Sequence, residues 1–193
     1  GNYSSGKMGF ALAEACAERG AEVTLVAGPV SLKTHHPAIK RIDVESAGEM
    51  YQAAMTAFPS SDAAILCAAV ADYRPENASE QKIKRETERE MTLHLVPNPD
   101  IAASLGAIKR EGQVMVGFAL ETNDEATHAE GKLKRKNLDF IVLNSLRDQG
   151  AGFRCDTNKI TIIDNAGGVT SYPLKTKREV ACDIVNKLVT LLK

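Results

Sequence analysis

The segment DAAILCAAVADY (62–73) is the strongest indication of the fold in this chain. Its apolar residues run together without alternating with polar ones, which is typical of a strand buried on both faces. Such strands occur in parallel sheets that helices cover on both sides. The segment therefore predicts an α/β domain, with a strand of a parallel sheet at 62–73.

Helical and strand patterns alternate on the amino-terminal side of this segment. A helix is predicted over 5–19 and a strand over EVTLVAG (22–28). A second strand, KRIDV (40–44), leads into a helix over 46–58 that an S-x-x-E capping box opens. A doubly wound sheet usually begins with a strand before its first helix. None precedes Asn2, so the first strand of the fold is expected to be missing from this chain.

The carboxyl-terminal side continues the alternation after a polar interruption. The charge-rich stretch 74–90 is predicted to be a mobile flap, because loops of this length are commonly lids or binding segments. A strand is predicted at 91–97, followed by a helix that Asn98 caps, with Pro99 and Asp100 in its first turn. Strands are predicted at 113–121 and 138–144, on either side of a helix at 124–136. A hairpin extension within 155–175 and a last helix complete the chain. Together they predict one domain, 1–193, with a Rossmann-like, doubly wound, mainly parallel sheet.

The composition agrees with a soluble, cytoplasmic protein. The 193 residues are 44% hydrophobic and 25% charged, with a net charge of -1, so nothing draws the whole molecule to nucleic acid. No apolar run is long enough to span a bilayer, and no signal segment opens the chain. The four cysteines, Cys16, Cys67, Cys155 and Cys182, are too widely spaced for a zinc site and are expected to be buried thiols.

The opening GNYSSGKMG (1–9) nearly matches a phosphate-binding Walker loop. Met8 stands where that loop needs a hydroxyl for Mg²⁺, so the match is incomplete. Free N–H groups at a helix start favour anions, and the side chain of a lysine there adds positive charge. Two interpretations stay open: Ser4, Ser5, Gly6 and Lys7 bind a phosphate or substrate, or they only cap a helix.

Three further stretches carry candidate site residues. Asp72 follows small residues at a strand end, where it could hold a metal or a hydroxyl group, or merely open a turn. Lys82 and Lys84 either form a clamp for a polyphosphate or belong to a solvated face. Lys132 and Lys136 share one helix face, where they either bind a ligand or only complement the helix dipole.

Six motifs, in this order, closely resemble the phosphopantothenate–cysteine ligase domain: NYSSGKMG, AAVADYRP, KIKR, PNPDI, VGFALET and KRKNLD. In bacteria this domain is usually the carboxyl-terminal half of a bifunctional coenzyme A biosynthesis protein, behind a flavin-dependent decarboxylase. The resemblance implies that 4′-phosphopantothenate attacks CTP to give an acyl-cytidylate and pyrophosphate, and that L-cysteine then displaces CMP. It also implies Mg²⁺ as cofactor and a homodimer with active sites near the interface. FMN would belong to the decarboxylase half only.

The resemblance also assigns roles to individual residues. Asn2 matches the asparagine needed for turnover of the acyl-cytidylate, and Lys82 matches the essential lysine of the flap. The positions that contact CTP in the family match Leu66, Cys67, Ala68, Asp72, Lys82, Asn98, Pro99, Asp100, Ile101, Phe118, Lys132 and Lys136. It gives no metal ligands.

Two other functions are compatible with parts of the pattern. A nicotinamide-dependent oxidoreductase could have a similar fold, but no GxGxxG follows a predicted strand. The Lys/Arg clusters would suit a non-enzymatic module that binds nucleotides or nucleic acid, although the net charge of -1 does not favour it.

Overall fold

The computed structural model of this chain describes residues 4–77, 79, 81, 91–121, 125–145 and 155–192. The helices are α1 (Lys7–Ala17), α2 (Ala47–Ala57), α3 (Ile101–Ile108), α4 (Glu125–Arg135) and α5 (Lys177–Leu191). The strands are β1 (Val23–Ala27), β2 (Ile39–Asp43), β3 (Ala63–Leu66), β4 (Tyr73–Pro75), β5 (Leu95–Pro97), β6 (Val114–Glu121), β7 (Phe140–Ser145), β8 (Thr157–Asn158), β9 (Ile160–Asp164), β10 (Val169–Ser171) and β11 (Lys175–Thr176).

A five-stranded sheet in the order β10-β9-β7-β6-β3 forms the centre of the molecule. β3, β6 and β7 are parallel, whereas β9 and β10 form the predicted hairpin and continue the sheet antiparallel beside β7. β1 and β2 make a separate parallel pair, and β4 with β5 and β8 with β11 make short antiparallel pairs. The predicted Rossmann-like, mainly parallel α/β fold is thus confirmed. The carboxyl ends of β3, β6 and β7 lie at one edge of the sheet.

Helices cover both faces of this sheet, as the apolar strands predict. Along β7, Phe140 and Val142 contact a core formed with α1 and α5. The alternate residues, Ile141 and Leu143, contact a second core that contains residues of α3 and α4. All four are at most 4% exposed. A strand that is buried on both sides therefore needs the continuous apolar run seen in its sequence.

The prediction of a strand over 62–73 is wrong beyond Leu66, where β3 ends. Residues 67–72 leave the sheet, and Ala68 and Ala71 are exposed. Alanine gains little from burial, so this segment has a weaker drive to remain in the sheet than the Ile65–Leu66 pair before it. Its backbone is held instead by the Asn98 N–H, which donates to the Asp72 carbonyl at 2.8 Å.

The predicted helix cap at Asn98 is also wrong. Asp100 is the N-cap of α3, and its carboxylate accepts a hydrogen bond from the Ala103 N–H at 3.0 Å. Asp and Asn are almost equally good caps, so composition does not decide between the two positions. The amide of Asn98 donates to the Ala71 carbonyl at 2.8 Å and thereby fixes the loop after β3.

The predicted capping residues Ser46 and Thr176 do start α2 and α5, and each side chain accepts a hydrogen bond from the residue three positions on. The described helices include none with the length and apolar character needed to cross a membrane. All four cysteines are free thiols of intermediate exposure.

Candidate active site

The start of α1 carries main-chain donors that the helix itself does not use. Gly6 is the N-cap, with φ 78° and no side chain of its own to cap the helix, and the Ser4 hydroxyl accepts a hydrogen bond from the Gly6 N–H at 3.5 Å. The first intrahelical hydrogen bond runs from the Phe10 N–H to the Gly6 carbonyl at 3.0 Å. The N–H groups of Lys7 and the next two residues therefore have no acceptor within the helix, an arrangement that favours anions.

The α1 start lies beside the carboxyl edge of the sheet. The buried Asn158 amide donates to the Asn144 side-chain oxygen at 3.0 Å, near the end of β7, and lies 3.9 Å from the Met8 sulfur in the first turn of α1. Lys7 extends from the same turn and forms an ion pair with Asp156 at 2.6 Å. This edge therefore carries both main-chain donors and a lysine.

The loop after β3 forms a second part of the edge. Arg74 donates to the Pro97 carbonyl at 2.8 Å and to the Asn98 side-chain oxygen at 3.2 Å. Together with the two bonds from Asn98 to residues 71 and 72, these contacts join the loop after β3 to the start of α3. Asp72 and Asn98, separated by 26 residues in sequence, are thus direct neighbours.

Lys136 approaches the start of α3 from the other side. Its ammonium group lies 2.9 Å from the Asp100 carboxylate, while its carbonyl lies against Gly106 of α3. The side chain therefore extends along α3 from Gly106 to the Asp100 cap. Partial burial raises the pKa of Asp100, but hydrogen bonds from the Ala103 N–H and Lys136, with the charge of Lys136, outweigh it and hold the pKa below its ordinary value. Asp100 thus stays ionised.

Four of the predicted residues pack against the two cores of the molecule. Leu66 and Ile101 pack against the core that contains residues of α3 and α4. Cys67 and Phe118 pack against the core beneath α1 and α5. Burial raises the pKa of the Cys67 thiol to about 12, so it remains protonated. Leu66 and Cys67, which are neighbours in sequence, thus pack against the cores on opposite faces of the central sheet.

Most of the sequence-predicted positions come together in this way. Leu66, Cys67, Ile101 and Phe118 pack against the two cores, Asn98 donates to the Asp72 carbonyl, and Lys136 pairs with Asp100. Ala68 and Pro99 lie beside members of this group in sequence. Lys132 is one turn before Lys136, and no carboxylate in the described part of the chain pairs with it. Asn2 and Lys82 lie outside the described residues, as does all of the predicted flap beyond Gln81.

Sequence reasoning missed three residues near the site. Asp156 pairs with Lys7, and Lys177 is buried. Arg41 donates to the Val30 carbonyl and so fixes the loop that lies against Gly6. Only Lys177 had a signal, since a lysine in the first turn of a helix opposes the helix dipole.

Arg41 joins three elements. Its guanidinium donates to the carbonyls of Val30 and Leu32, pairs with Asp43 at 2.6 Å and lies 5.3 Å from the centre of the Phe10 ring in α1. Val30 in turn contacts Gly6, where an added Cβ would lie 3.2 Å from Val30 Cγ1. Arg41 therefore sets the position of the loop against the α1 start.

We expect Arg41→Met to lower the free energy of unfolding by about 2 kcal/mol, because it removes hydrogen bonds to two carbonyls and a cation–π contact. Arg41→Lys should recover only part of this, since an ammonium lacks the planar fork. Urea unfolding measures both. The control is Lys40→Met on the same strand, where the exposed side chain predicts a change within about 0.5 kcal/mol. Equal losses in the two methionine variants would contradict the role of Arg41.

No group of three or more His, Cys, Asp and Glu side chains suited to a metal ion occurs among the described residues. Mg²⁺ is commonly bound through one or two carboxylates and substrate phosphates, so it does not need such a group. Asp72 is exposed at the end of the loop after β3 and fits this requirement, whereas the Asp100 carboxylate is already paired with Lys136.

The model of the DNA/pantothenate metabolism flavoprotein C-terminal domain matches residues 1–192. The chain belongs to this family. A crystal structure of the C-terminal domain of the coenzyme A biosynthesis bifunctional protein CoaBC has 35% identity and a TM-score of 0.81, over 98% of this chain and 84% of that one.

Curated relatives of the family extend beyond the matched region. The chain is 47% identical to the coenzyme A biosynthesis bifunctional protein CoaBC of Vibrio parahaemolyticus, over 99% of this chain and 48% of that protein. It is 58% identical to a protein of an unknown prokaryotic organism named cysteine/cysteine sulfinic acid decarboxylase, over 99% of this chain and 53% of that protein. The chain thus spans about half the length of these relatives.

Proposed function

We propose that this chain is a CTP-dependent ligase that joins 4′-phosphopantothenate to L-cysteine in coenzyme A biosynthesis. The observation that carries the proposal is the convergence at the end of β3. The start of α1 packs over one face of the sheet, and α3, whose start carries the Asp100–Lys136 pair, packs over the other and is tied through Asn98 to the loop after β3. Similarity to CoaBC proteins supports the same reaction.

The first half-reaction joins the phosphopantothenate carboxylate to the α-phosphate of CTP and releases pyrophosphate. The site's contribution is to gather negatively charged reactants and hold them in line. Main-chain N–H groups at the α1 start, with Ser4, Ser5, Gly6 and Lys7, would bind phosphate oxygens. Lys132 and Lys136 would bind the nucleotide from the α4 side, and Lys82 would close over the triphosphate. When bound, Mg²⁺ would neutralise phosphate charge, with Asp72 as a ligand directly or through water.

In the second half-reaction the cysteine amine attacks the acyl-cytidylate carbonyl, and CMP leaves. A side-chain amide can donate a hydrogen bond to the oxyanion that develops there without acting as a base. We assign this role to Asn2. Phe118 and the exposed alanines Ala68, Ala69 and Ala71 would let the cytosine lie against the end of β3.

The test is pyrophosphate release by the purified chain with CTP, 4′-phosphopantothenate and Mg²⁺. We expect release only when all three are present, and CMP to follow on addition of L-cysteine. ATP in place of CTP measures nucleotide selectivity. Release that does not depend on phosphopantothenate, or tight NAD(P)H binding without CTP binding, would contradict the proposal.

A cysteine sulfinate decarboxylase is a second candidate, because the relative with that name is 58% identical over 99% of this chain. The same protein preparation, incubated with cysteine sulfinate and no nucleotide, would then release CO₂. The ligase proposal expects no such release from this chain.

We further propose a cytoplasmic homodimer, fused in the full-length protein to an FMN-dependent phosphopantothenoylcysteine decarboxylase. The β4–β5 pair supports the dimer, since isolated two-stranded sheets are marginal in water. Four large apolar side chains are exposed on or beside it: Tyr73, Met91, Leu93 and Leu95. A second copy of the chain would cover them.

Leu95→Lys is expected to weaken this dimer about 100-fold or more, because each of the two copies loses a buried leucine, about 1.5 kcal/mol or more, and gains a charge. Sedimentation equilibrium measures the dissociation constant. Val169→Lys is the matched control, because Val169 is 64% exposed on the strand β10 at the far edge of the central sheet. Equal weakening by both substitutions would show that the interface lies elsewhere. A monomeric parent chain would contradict the dimer itself.

A further inference from the structure

Asn137 ends α4 in a left-handed conformation. Its φ is 51°, and within the described part of the chain it is the single residue other than glycine with a positive φ. The Leu138 N–H donates to the Leu133 carbonyl at 2.9 Å and the Asn137 N–H to the Lys134 carbonyl at 3.3 Å, a pattern that closes many helices. Glycine is the usual residue at such a position, because it adopts this conformation without strain. The helix end therefore explains the backbone of Asn137 but not its side chain.

The side chain and the carbonyl of Asn137 both contact α3. Its amide donates to the Gly106 carbonyl at 3.0 Å, and its own carbonyl accepts a hydrogen bond from the Lys109 ammonium group at 3.2 Å. The same ammonium group pairs with Asp139 at 2.6 Å, and the two side chains are only 11% and 20% exposed. Salt screens a partly buried pair of this kind only weakly. These contacts hold the turn between α4 and β7 against the carboxyl-terminal half of α3.

The same turn also reaches the other end of α3. Lys136, the residue before Asn137, places its ammonium group 2.9 Å from the Asp100 carboxylate at the start of that helix. Asp100 and Gly106 are six positions apart, which is about 9 Å along a helix axis. The Lys136 side chain spans this distance from a backbone that lies against Gly106. The ion pair therefore depends on how the end of α4 is seated on α3.

We propose that Asn137 is a positioning residue for the Lys136–Asp100 pair at the proposed nucleotide site. Its left-handed backbone ends α4 at the residue after Lys136, and its amide fixes that end at the level of Gly106. Asn137 acts through Lys136 and has no need to touch the ligand. The identity of the ligand, CTP, rests on the proposed function.

The decisive variant is Asn137→Gly, because glycine keeps the left-handed conformation and removes only the amide. We expect its KM for CTP to rise about fivefold, the factor that corresponds to the loss of one hydrogen bond. The kcat should stay within about twofold of that of the parent enzyme, since weakened uniform binding raises KM alone. Steady-state kinetics with CTP varied at saturating phosphopantothenate and cysteine measures both.

Two controls isolate the contact with α3. Asn165→Gly makes the same substitution at an exposed residue of the β9–β10 turn and should leave the KM for CTP within about twofold. Gln113→Met controls for lost stability. The Gln113 amide donates to the carbonyls of Phe58 and Ser61 at 2.9 and 2.6 Å, so its loss should lower the urea midpoint without changing the KM for CTP.

The titration of Asp100, followed by NMR without nucleotide, separates positioning from a merely structural role. Partial burial raises the pKa of Asp100, whereas main-chain N–H groups and Lys136 lower it below the ordinary value of 3.8. If Asn137 holds Lys136 in place, the pKa should rise towards that value in Asn137→Gly. It should not change in Gln113→Met.

An unchanged Asp100 pKa in Asn137→Gly would overturn the proposal. So would a KM for CTP that stays at the parent value in this variant, or one that rises equally in Gln113→Met. The ligase assay on the parent protein is run alongside, and absence of CTP-dependent pyrophosphate release would reject the proposed reaction. A raised Asp100 pKa in Asn137→Gly would then still support the positioning of Lys136, whereas an unchanged one would reject both.

Discussion

Gly106→Ala is expected to lower the free energy of unfolding by about 3 kcal/mol or more. A Cβ at this position would lie 2.2 Å from the Lys136 carbonyl oxygen and 2.8 Å from its carbonyl carbon. Both atoms belong to the backbone, so the clash can be relieved only by moving α3 away from the turn between α4 and β7. That movement would also separate Asp100 from Lys136, and we expect CTP binding to weaken in the fraction that remains folded.

Gly131→Ala in α4 is the control for this prediction. An added Cβ there has nothing within 4 Å, and alanine is favoured over glycine in a helix by about 1 kcal/mol. The two identical substitutions should therefore change stability in opposite directions, which urea unfolding measures. A Gly106→Ala protein as stable as the parent would show that α3 and the turn are not in close contact.

Lys136→Met is expected to raise the KM for CTP about 10- to 100-fold, because it removes a charge-assisted hydrogen bond at the proposed nucleotide site. Asp100→Asn should have a smaller effect. Asparagine caps a helix nearly as well as aspartate, so α3 should keep its start while Lys136 loses its partner. Steady-state kinetics with CTP varied at saturating phosphopantothenate provides the measurement.

Arg135→Met is the matched control, because Arg135 is the neighbouring cation on α4 and is exposed. Its KM for CTP should stay within about twofold of that of the parent enzyme. If Lys136→Met and Arg135→Met were alike, Lys136 would contribute only to the general potential of the surface. If Asp100→Asn were worse than Lys136→Met, the carboxylate itself would bind the ligand.

The sheet could be predicted because the continuous apolar runs that mark its buried strands are local features of the sequence. β7 and β6 appear almost where the sequence places them, and the capping side chains of Ser46 and Thr176 fix the starts of α2 and α5. The wrong predictions occur where two local conformations, or two possible cap residues, differ little in free energy. The alanines after Leu66 can continue a strand or leave it, and Asn98 and Asp100 can each cap a helix.

The candidate site was predicted less completely because it depends on contacts between distant parts of the chain. Motif similarity identified Lys136 and Asp100, but not that they pair with each other. Arg41 and Lys177 act through carbonyl groups of other segments, and no spacing in the sequence reports such contacts. For Lys177, the conflict with the helix dipole is a usable local sign.

The two-sided anchoring at the end of β3 has a consequence for engineering. Leu66 is fixed in one core and Cys67 in the other, so the loop after β3 has a rigid base from which three exposed alanines, Ala68, Ala69 and Ala71, project. Exposed positions usually accept new side chains at a cost of about 0.5 kcal/mol or less. A library restricted to these three alanines could therefore change the nucleobase preference of the proposed site while leaving the scaffold unchanged.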